Sequence, residues 1–424
     1  MKTSVITFSL IALTTLSSCK ENTVTAKEKE EAKAEGSTTV QTAIGPLTLP
    51  APFVTESVTN RNAMKDWPEG QTPKAPAGFT VTKFAGDLKN PRNTYIGPNG
   101  DIFVAESGTS GSADRITMFR DKDKDGNYET RIVFAEKLNQ PYGLLILKDY
   151  FYVANTDGLY RYPYKTGDTK LNGKGEKIVE LPAGGYNNHW TRNLLASADG
   201  SKIYISVGSA SNVAEHGIEE EKRRANILEI NPDGSGERIF ASGLRNPVGM
   251  DWNPVTKQLW TAVNERDELG DGLVPDYITS VKEGGFYGWP YSYFGQIEDP
   301  RLKGQAKDLV AKAIIPDVPV GNHTASLGLA FYNGNAFPEK YRNGAFVGQH
   351  GSWNSSTFTG YKVLFVPFKD GKPQPPEDFL TGFIADEKKA KVYGRPVDVT
   401  VMNDGSLLVN DDSGNTLWRV SVSK

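Results

Sequence analysis

The chain has very little cysteine and histidine: one cysteine, Cys19, and four histidines in 424 residues. A single cysteine excludes an intrachain disulfide, so core packing and strand pairing must stabilise the fold. The net charge of −3 lacks the basic excess typical of nucleic-acid-binding proteins. Glycine-rich phosphate loops, GxSxG elbows, HExxH helices and CxxC pairs are absent too, which leaves those chemistries without support.

The N-terminus reads as a processing segment over residues 1–18. Lys2 precedes a short apolar run, residues 5–16, which is too short to form a membrane-spanning helix. The run ends in Leu-Ser-Ser-Cys, which looks like a bacterial lipobox and predicts cleavage before Cys19 and a lipid on its thiol. We therefore expect a periplasmic or cell-surface lipoprotein held to the membrane only by that lipid. The alternative is an ordinary secretory signal with an incidental cysteine.

Residues 19–72 differ in composition from the rest of the chain. They are rich in Glu, Lys, Ala and Thr and have almost no large apolar side chain before Ile44. Such a segment buries too little apolar surface to fold by itself, so it is predicted to be a flexible tether. The globular domain is expected to span residues 73–424.

A short phrase returns six times within this domain, at intervals of roughly fifty residues. Each copy has an apolar strand, a small apolar turn near Asn-Pro or Arg-Asn, and a second strand. The copies begin at Val81, Arg131, Lys177, Glu237, Ser326 and Gly394. This period predicts an all-β fold, a six-bladed β-propeller with four-stranded antiparallel blades. The last copy lacks an outer strand, so the N-terminal strand Phe79–Ala85 is expected to close the ring.

His189 is the histidine best placed for catalysis, because it stands just before an apolar strand at a blade entrance. There it could act as a general base near the channel mouth, or it could simply hold a loop by hydrogen bonds.

Arginines recur at equivalent positions of the repeats. Arg-Asn pairs stand at Arg92-Asn93, Arg192-Asn193 and Arg245-Asn246, and Arg395 lies near the same place in the last repeat. Guanidinium groups that converge on one axis predict a cationic site for a ligand with carboxylates. Alternatively, these pairs cap turns.

Two long connections, residues 264–293 and 294–324, exceed what a blade needs and are expected to carry function. Five carboxylates crowd into the first of them: Glu265, Asp267, Glu268, Asp271 and Asp276. Carboxylates and loop carbonyls suit a hard cation such as calcium, and Asp267, Asp271 and Asp276 are the predicted metal ligands. A solvated acidic loop is the alternative.

A second acidic stretch, residues 121–129, resembles the first half of an EF-hand loop. Asp121, Asp123 and Asp125 precede Gly126, but Ile132 occupies the position of the bidentate glutamate. We interpret it as a hairpin tip, with a weak calcium site as the alternative.

Several strings together resemble the glucose/sorbosone dehydrogenase family, in particular its sorbosone dehydrogenase-like branch. They are NERDELGDGLVPDY, GGFYGWP, the run ending in GQHGSWN, GYKV, and GRPVDV followed by NDDSGNTLWRVS. The resemblance covers about Phe79 to the C-terminus. It implies a six-bladed propeller that binds pyrroloquinoline quinone (PQQ) and calcium and oxidises sugars in the periplasm.

The resemblance also implies roles for individual residues. His189 matches the base that takes the proton of the sugar hydroxyl as hydride passes to the quinone, and Arg245 and Asn246 match the pair beside the quinone oxygens. The remaining cofactor-binding residues by this match are Glu265, Arg266, Asp276, Lys362 and Arg395.

Three positions depart from the family pattern. Asn188 precedes the base where the glucose-oxidising members carry Asp, Val397 replaces the second arginine of the final blade, and Ser355 replaces an arginine. By this resemblance, each change is expected to remove a polar contact to substrate or cofactor.

These observations predict an enzyme, a PQQ-dependent dehydrogenase of a sugar or sugar aldehyde, with an unknown electron acceptor. Two alternatives stay open, a calcium-dependent sugar lactonase and a non-catalytic glycan-binding propeller. Aromatic side chains that could stack on a sugar in each case are Trp190, Trp289, Tyr291 and Trp353.

Overall fold

The computed structural model describes residues 24–423. Cys19 and the predicted signal peptide lie outside the described residues. Within residues 24–423, no helix has the length and apolar character needed to cross a membrane.

The described chain is all-β, as predicted, and its main body consists of six sheets numbered here in chain order. Sheet 1 contains Pro91–Ile96, Ile102–Glu106, Arg115–Arg120 and Thr130–Ala135. Sheet 2 contains Leu144–Leu147, Tyr150–Asn155, Gly158–Pro163 and Glu176–Glu180. Sheet 3 contains Arg192–Ala196, Ile203–Val207, Asn226–Ile230, Arg238–Ser242 and Gly285–Phe286. Sheet 4 contains Asn246–Trp252, Leu259–Asn264, Pro275–Ser280 and Val318–Asn322. Sheet 5 contains Ser326–Phe331, Ala345–Gln349, Lys362–Val366 and Glu377–Leu380.

Sheet 6 joins the two ends of the domain. Its strands are Pro396–Val401, Leu407–Asp411, Thr416–Val422 and Phe79–Ala85. The N-terminal strand pairs antiparallel with Thr416–Val422, from Leu417 opposite Ala85 to Val422 opposite Phe79. The pairing expected from the missing outer strand is therefore present.

Sheet 3 departs from the expected four antiparallel strands. Gly285–Phe286 adds a fifth strand, parallel to Arg238–Ser242. It comes from the long connection after Pro275–Ser280, which returns along this edge before Val318–Asn322 resumes sheet 4. The first long connection predicted from the sequence is thus divided by a strand of sheet 4.

Shorter elements connect or flank the sheets. The other strands are Thr38–Thr42, Gly45–Leu49, Ala63–Met64, Ser292–Tyr293, Ile297–Glu298, Phe368–Lys369, Lys372–Pro373, Ile384–Asp386 and Lys391–Val392. The helices are Ala26–Ala34 and Lys307–Val310, with 3₁₀ turns at Ile218–Glu221, Pro300–Leu302, Glu339–Tyr341 and Glu387–Lys389.

Apolar packing between neighbouring sheets forms the core. The second strands of sheets 1 and 3, Ile102–Glu106 and Ile203–Val207, are buried at every position, because a neighbouring sheet covers each face. Sheet 6 also packs on sheet 1, where Met402, Leu408 and Leu417 meet Ile102 and Val104 in one cluster. The first and last sheets are therefore neighbours in space.

The first strands of the sheets converge on a small apolar cluster. It contains Tyr142, Trp190, Val248, Leu327 and Val397, which belong to five consecutive sheets or to the residues just before them. Val397, which replaces an arginine of the family pattern, is fully buried in this cluster. Trp190 is likewise a core residue and not a sugar platform.

The structure corrects the expectation of a free tether for residues 24 to about 60. Thr25 and Glu28 form a capping box at the start of helix Ala26–Ala34. The hairpin of Thr38–Thr42 and Gly45–Leu49 buries Val40 and Leu49 in the core cluster of sheets 3 and 4. The few apolar side chains are enough because they dock on a surface that the sheets already form. The predicted boundary at residue 73 stays a prediction.

Residues 53–65, the N-terminal strap, continue across loops of the main body. The Phe53 N–H donates to the Leu269 carbonyl (2.7 Å), and the Asn60 N–H donates to the Trp353 carbonyl (2.7 Å). Ala63–Met64 then pairs parallel with Lys391–Val392. Backbone hydrogen bonds therefore hold the strap at both ends and in its middle.

A buried ion pair also links sheets 1 and 6. Arg92 donates to Asp412 at 2.6 Å, and His350 Nε2 lies 2.8 Å from the other Asp412 oxygen. Burial raises the pKa of Asp412, but the positive surroundings, chiefly His350 and Arg92, outweigh burial and hold it well below its usual range. The carboxylate is therefore ionised and balances Arg92, while His350, whose pKa burial lowers to about 4, lies within hydrogen-bond distance as a neutral ring near pH 7.

Replacing Asp412 with Asn should destabilise the protein by roughly 3 kcal/mol, because Arg92, whose side chain is only 12% exposed, would lose its counter-charge. The stabilisation from Asp412 is complete above the unfolded pKa of Asp, about 4, and is lost as the pH falls towards the depressed folded pKa. The variant should therefore lose less stability on acidification than the wild type. Urea unfolding at several pH values measures both effects. The control is Asp378→Asn, which removes the ion-pair partner of Lys362. Because the Asp378 side chain is 57% exposed, this change should lower the free energy of unfolding by at most about 1 kcal/mol. An equal cost for the two variants would contradict the prediction.

Candidate active site

A cleft of about 810 Å³ collects many of the predicted residues from different sheets. His189 enters from the loop before sheet 3 and Arg245 from the loop before sheet 4. Glu265 and Asp267 enter from the connection within sheet 4, and Asp276 from the start of its strand Pro275–Ser280. Of the four residues expected to converge on one cleft, His189 and Arg245 line it together with part of the acidic loop, whereas Asn246 and Arg395 do not.

His189 is held by one ring nitrogen. Its Nδ1 lies 2.9 Å from both the carbonyl and the hydroxyl oxygen of Ser209, and the Ser209 hydroxyl itself donates to the Ser211 carbonyl (2.6 Å). Because a carbonyl only accepts, this network assigns the proton to Nδ1 and leaves the lone pair on Nε2. Burial, together with the positive charge of Arg245, lowers the pKa of His189 to about 3. The imidazole is thus neutral and able to accept a proton.

Arg245 organises the loops around the cleft. Its Nε donates to the Asn212 carbonyl (3.0 Å) and Nη1 to the Glu265 carbonyl (2.6 Å). Its Nη2 donates to Asn212 Oδ1 (2.8 Å) and to Asp267 Oδ2 (3.0 Å). The guanidinium is 5% exposed, so these acceptors replace water and fix its position.

Asp267 connects Arg245 to the far wall of the cleft. Its Oδ1 accepts from Asn354 Nδ2 (2.7 Å) and lies 3.7 Å from His323 Nδ1. Burial raises the pKa of Asp267, but Arg245 and His323 outweigh it and hold the pKa at about 2. Burial alone would lower the pKa of His323, and the adjacent Asp267 raises it. An ionised aspartate therefore stands between two basic groups.

Glu265 and Asp276 form a more deeply buried acidic pair. Asp276 accepts from the Glu265 N–H (2.9 Å), the Ser326 N–H (3.0 Å) and the Thr324 hydroxyl (3.0 Å). Glu265 Oε2 accepts from the Arg266 N–H (3.0 Å), while Oε1 has no protein partner. Burial raises the pKa of Glu265 to about 7 and that of Asp276 to about 6. Glu265 thus offers a free carboxylate oxygen at the cleft.

Three residues of the predicted set lie close by but do not line this cleft. Arg266 turns away and pairs with Asp299 at 2.5 Å, a contact in which both side chains are buried. Asp271 accepts from the Ser356 N–H (2.7 Å). Asn246 is buried beside Gly208, with its Oδ1 unpartnered.

The two cations predicted to hold cofactor carboxylates are directed elsewhere. Lys362 pairs with Asp378 at 2.6 Å and lines a different cavity, of about 450 Å³. Arg395 donates to the carbonyls of His350 (2.9 Å) and Gly351 (2.7 Å). Neither residue lines the cleft, and each side chain is held by the partners just named.

The structure also corrects the predicted metal ligands. Asp267 and Asp276 line the cleft, but Asp271 is bound to Ser356 and the three do not meet as one ligand cluster. Among residues 24–423, the one group of three acidic ligands within 4.8 Å is Asp121, Asp123 and Glu129, at the tip of the sheet 1 hairpin.

Several cleft residues escaped the sequence analysis. They are Arg61, Asn212, His323 and Asn354, whereas Trp353, named above as a possible sugar-stacking side chain, lines the cleft as well. His323 and the His-Gly-Ser-Trp-Asn string were visible as motifs, but Arg61 lies in a segment expected to be unfolded, and Asn212 carries no local signal. Glu268, His323 and Ala325 adopt left-handed backbone at the cleft (φ 71°, 55° and 49°), a strained conformation for such residues.

Residues 73–275 and 300–423 match the protein family described as TrAA12-like. The chain belongs to this family. An uncharacterized protein of Borreliella burgdorferi is 31% identical over 368 residues, which cover 83% of this chain and 92% of that protein. The matched residues therefore include strands of all six sheets, and the strap precedes them.

Two sugar dehydrogenases are also similar to this TrAA12-like chain. The aldose sugar dehydrogenase of Escherichia coli is 32% identical over 186 residues, 40% of this chain and 47% of that enzyme. The pyrroloquinoline quinone-dependent pyranose dehydrogenase of Coprinopsis cinerea is 23% identical over 406 residues, 80% of this chain. The chain spans about half the length of each of these enzymes.

Solved structures share the fold. The PQQ domain of the Coprinopsis cinerea pyranose dehydrogenase in its holo form superimposes with a TM-score of 0.69 at 20% identity, over 86% of this chain and 100% of that domain. A calcium structure of a Trichoderma reesei AA12 protein superimposes with a TM-score of 0.71 at 17% identity, over 85% and 100%. Together with the family match, the relatives bear out the predicted enzyme class, a quinone-dependent sugar oxidoreductase. A sorbosone-specific branch is not singled out by them.

Gly208 controls the position of two predicted residues, and Gly208→Ala should disturb both. An added Cβ would lie 2.3 Å from Asn246 Oδ1 and 2.5 Å from His189 Cβ, closer than real Cβ contacts allow. A shift of the histidine should lower sugar-dependent dye reduction by about 10²-fold when turnover is measured well below the melting temperature, which the added Cβ should also lower. Gly86→Ala is the matched control, since its Cβ would meet nothing closer than 3.6 Å. Unchanged turnover in the Gly208 variant would show that His189 is not positioned in this way.

Proposed function

We propose that this protein oxidises a sugar or sugar aldehyde with PQQ as the immediate electron acceptor and calcium as an associated ion. The observation that carries the proposal is the neutral His189, with its Nε2 lone pair unused, in the same cleft as Arg245. A base beside a fixed guanidinium is what removal of a hydroxyl proton requires. Membership of the TrAA12-like family supports the same reaction class.

We also infer that the six sheets are the blades of one closed six-bladed β-propeller. The packing of sheet 6 on sheet 1 and the apolar cluster of the first strands support a ring around a central axis. In such a ring the loops that enter the first strands meet at one end. This geometry accounts for the meeting of His189 and Arg245 in one cleft.

The donor set of the cleft fits both groups. Glu265 Oε1 is a buried carboxylate oxygen without a partner, and Asp267 lines the same space, so a hard cation would find oxygen ligands there. Arg61 and Arg245 supply positive charge for an anionic quinone. When bound, PQQ would supply the two-electron acceptor that protein side chains lack.

The side chains of the protein would do the remaining work. His189 Nε2 would accept the hydroxyl proton of the sugar as the carbonyl forms. Arg245 would stabilise negative charge that develops on oxygen beside it, with no need to reorient, because four acceptors already hold it. Trp353, 43% exposed at the rim, offers a face on which a sugar ring can stack.

Replacing His189 with Ala should lower turnover about 10²–10⁴-fold, the usual contribution of a general base, while PQQ binding is largely kept. The assay is dye reduction with a panel of aldoses after reconstitution with PQQ and calcium, with a calcium-free arm containing chelator. His216→Ala, an exposed histidine outside the cleft, is the control and should retain full activity.

The same assay discriminates the alternatives. Absence of PQQ binding, with hydrolysis of a lactone in the cleft, would favour the lactonase. Binding of a glycan without turnover would favour the non-catalytic propeller. The lactonase has the weaker support, because no cluster of three carboxylates forms in this cleft among the described residues.

We further propose that a lipid on Cys19 anchors the protein to a membrane at the periplasmic or cell-surface side. The Leu-Ser-Ser-Cys string supports this. Changing Cys19 to Ala should release the protein into the soluble fraction, since no other lipid attachment is proposed. Cell fractionation with labelled palmitate measures it, and a Cys19→Ala protein that remains in the membrane fraction would refute the anchor.

A further inference from the structure

The N-terminal strap brings a cation to the cleft from outside the region shared with the family. Arg61 lines the cleft together with His189 and Arg245, although the family match begins only at residue 73. The residues on either side fix its backbone. The Asn60 N–H donates to the Trp353 carbonyl (2.7 Å), and Asn62 Nδ2 donates to the Tyr361 hydroxyl (2.8 Å).

Arg61 and Arg245 are the two arginines that line the cleft, and they differ in whether their N–H donors already have partners. Arg245 is buried and its donors are occupied by Asn212, Glu265 and Asp267. The Arg61 side chain is exposed, and it makes no hydrogen bond or ion pair with the described residues. Its five N–H donors are therefore available to a ligand.

The cations expected to bind ligand carboxylates are otherwise missing from this cleft. Arg395 is held by two backbone carbonyls and Lys362 by Asp378. Val397, which stands where the family pattern has an arginine, carries no charge and lies in the apolar cluster. An anionic ligand would also meet the ionised Asp267, which raises the need for a compensating positive charge.

We propose that Arg61 binds a carboxylate of the molecule held in the cleft. This proposal rests on the proposed function. It assigns ligand binding to a residue that lies before the region matched by the family. The carboxylate belongs either to the quinone cofactor or to an acidic sugar substrate. In both cases a guanidinium recognises it through charge-assisted, bidentate hydrogen bonds.

The test compares Arg61→Gln and Arg61→Lys with wild type. Lys65→Gln is the matched control, because Lys65 lies on the same strap but over the Tyr393 ring (5.6 Å) and not in the cleft. Equilibrium titrations with PQQ, by absorbance, and with a uronic acid and its parent aldose, by calorimetry, give dissociation constants without relying on turnover. Melting temperatures should be equal, since the side chain is exposed.

Arg61→Gln should weaken PQQ binding about 10-fold, and its PQQ affinity should depend less on salt concentration than that of the wild type. The affinity of Arg61→Lys should be intermediate, and that of Lys65→Gln should equal that of the wild type. If PQQ binding is unchanged but the uronic acid binds about 10-fold more weakly while the aldose does not, the carboxylate is that of the substrate, and the proposal stands. Wild-type affinity of Arg61→Gln for both anions overturns the proposal and leaves the proposed function intact. Failure of the wild type itself to bind either anion overturns both.

Discussion

The fold depends on one constraint: a four-stranded sheet has two faces, and neither can remain in water if both are apolar. Ile203–Val207 in sheet 3 and Ala345–Gln349 in sheet 5 are buried throughout, so each sheet needs a neighbour on both sides. The contact of sheet 6 with sheet 1 satisfies the two sheets that would otherwise end the row. The position of the cleft follows, because sheets packed in this way bring the entrances of their first strands together.

Electrostatics at the cleft depends on Arg245. A buried guanidinium must find acceptors, and it finds them on Asn212, Glu265 and Asp267. These loops come from two sheets, so a single side chain fixes their relative position. The same charge helps to keep His189 neutral. A negatively charged ligand beside Arg245 would offset that charge and make His189 a stronger base.

The N-terminal segment is ordered despite its polar composition, because the main body provides a surface on which it packs. Residues 24–65 have few apolar side chains, yet Val40 and Leu49 enter the core of sheets 3 and 4. Backbone hydrogen bonds at Phe53 and Asn60 hold the rest of the segment in place. A segment that cannot fold alone can therefore become part of the cleft wall and contribute Arg61.

Periodicity determined a large part of this structure: the all-β class, the number of main sheets and the pairing of Phe79–Ala85 with the last strand were predicted from it. His189 and Arg245 could be located from the sequence because they precede strands at repeat-equivalent positions. The hydrogen-bond and ion-pair partners of the charged side chains could not be predicted from the sequence. Lys362, Arg395 and Asp271 each carry the right charge in a plausible motif, but their nearest partners, Asp378, the His350 carbonyl and Ser356, draw them away from the cleft. A repeat specifies where a residue enters the fold, whereas the direction of its side chain depends on neighbours distant in sequence, which only the tertiary structure brings within hydrogen-bond distance.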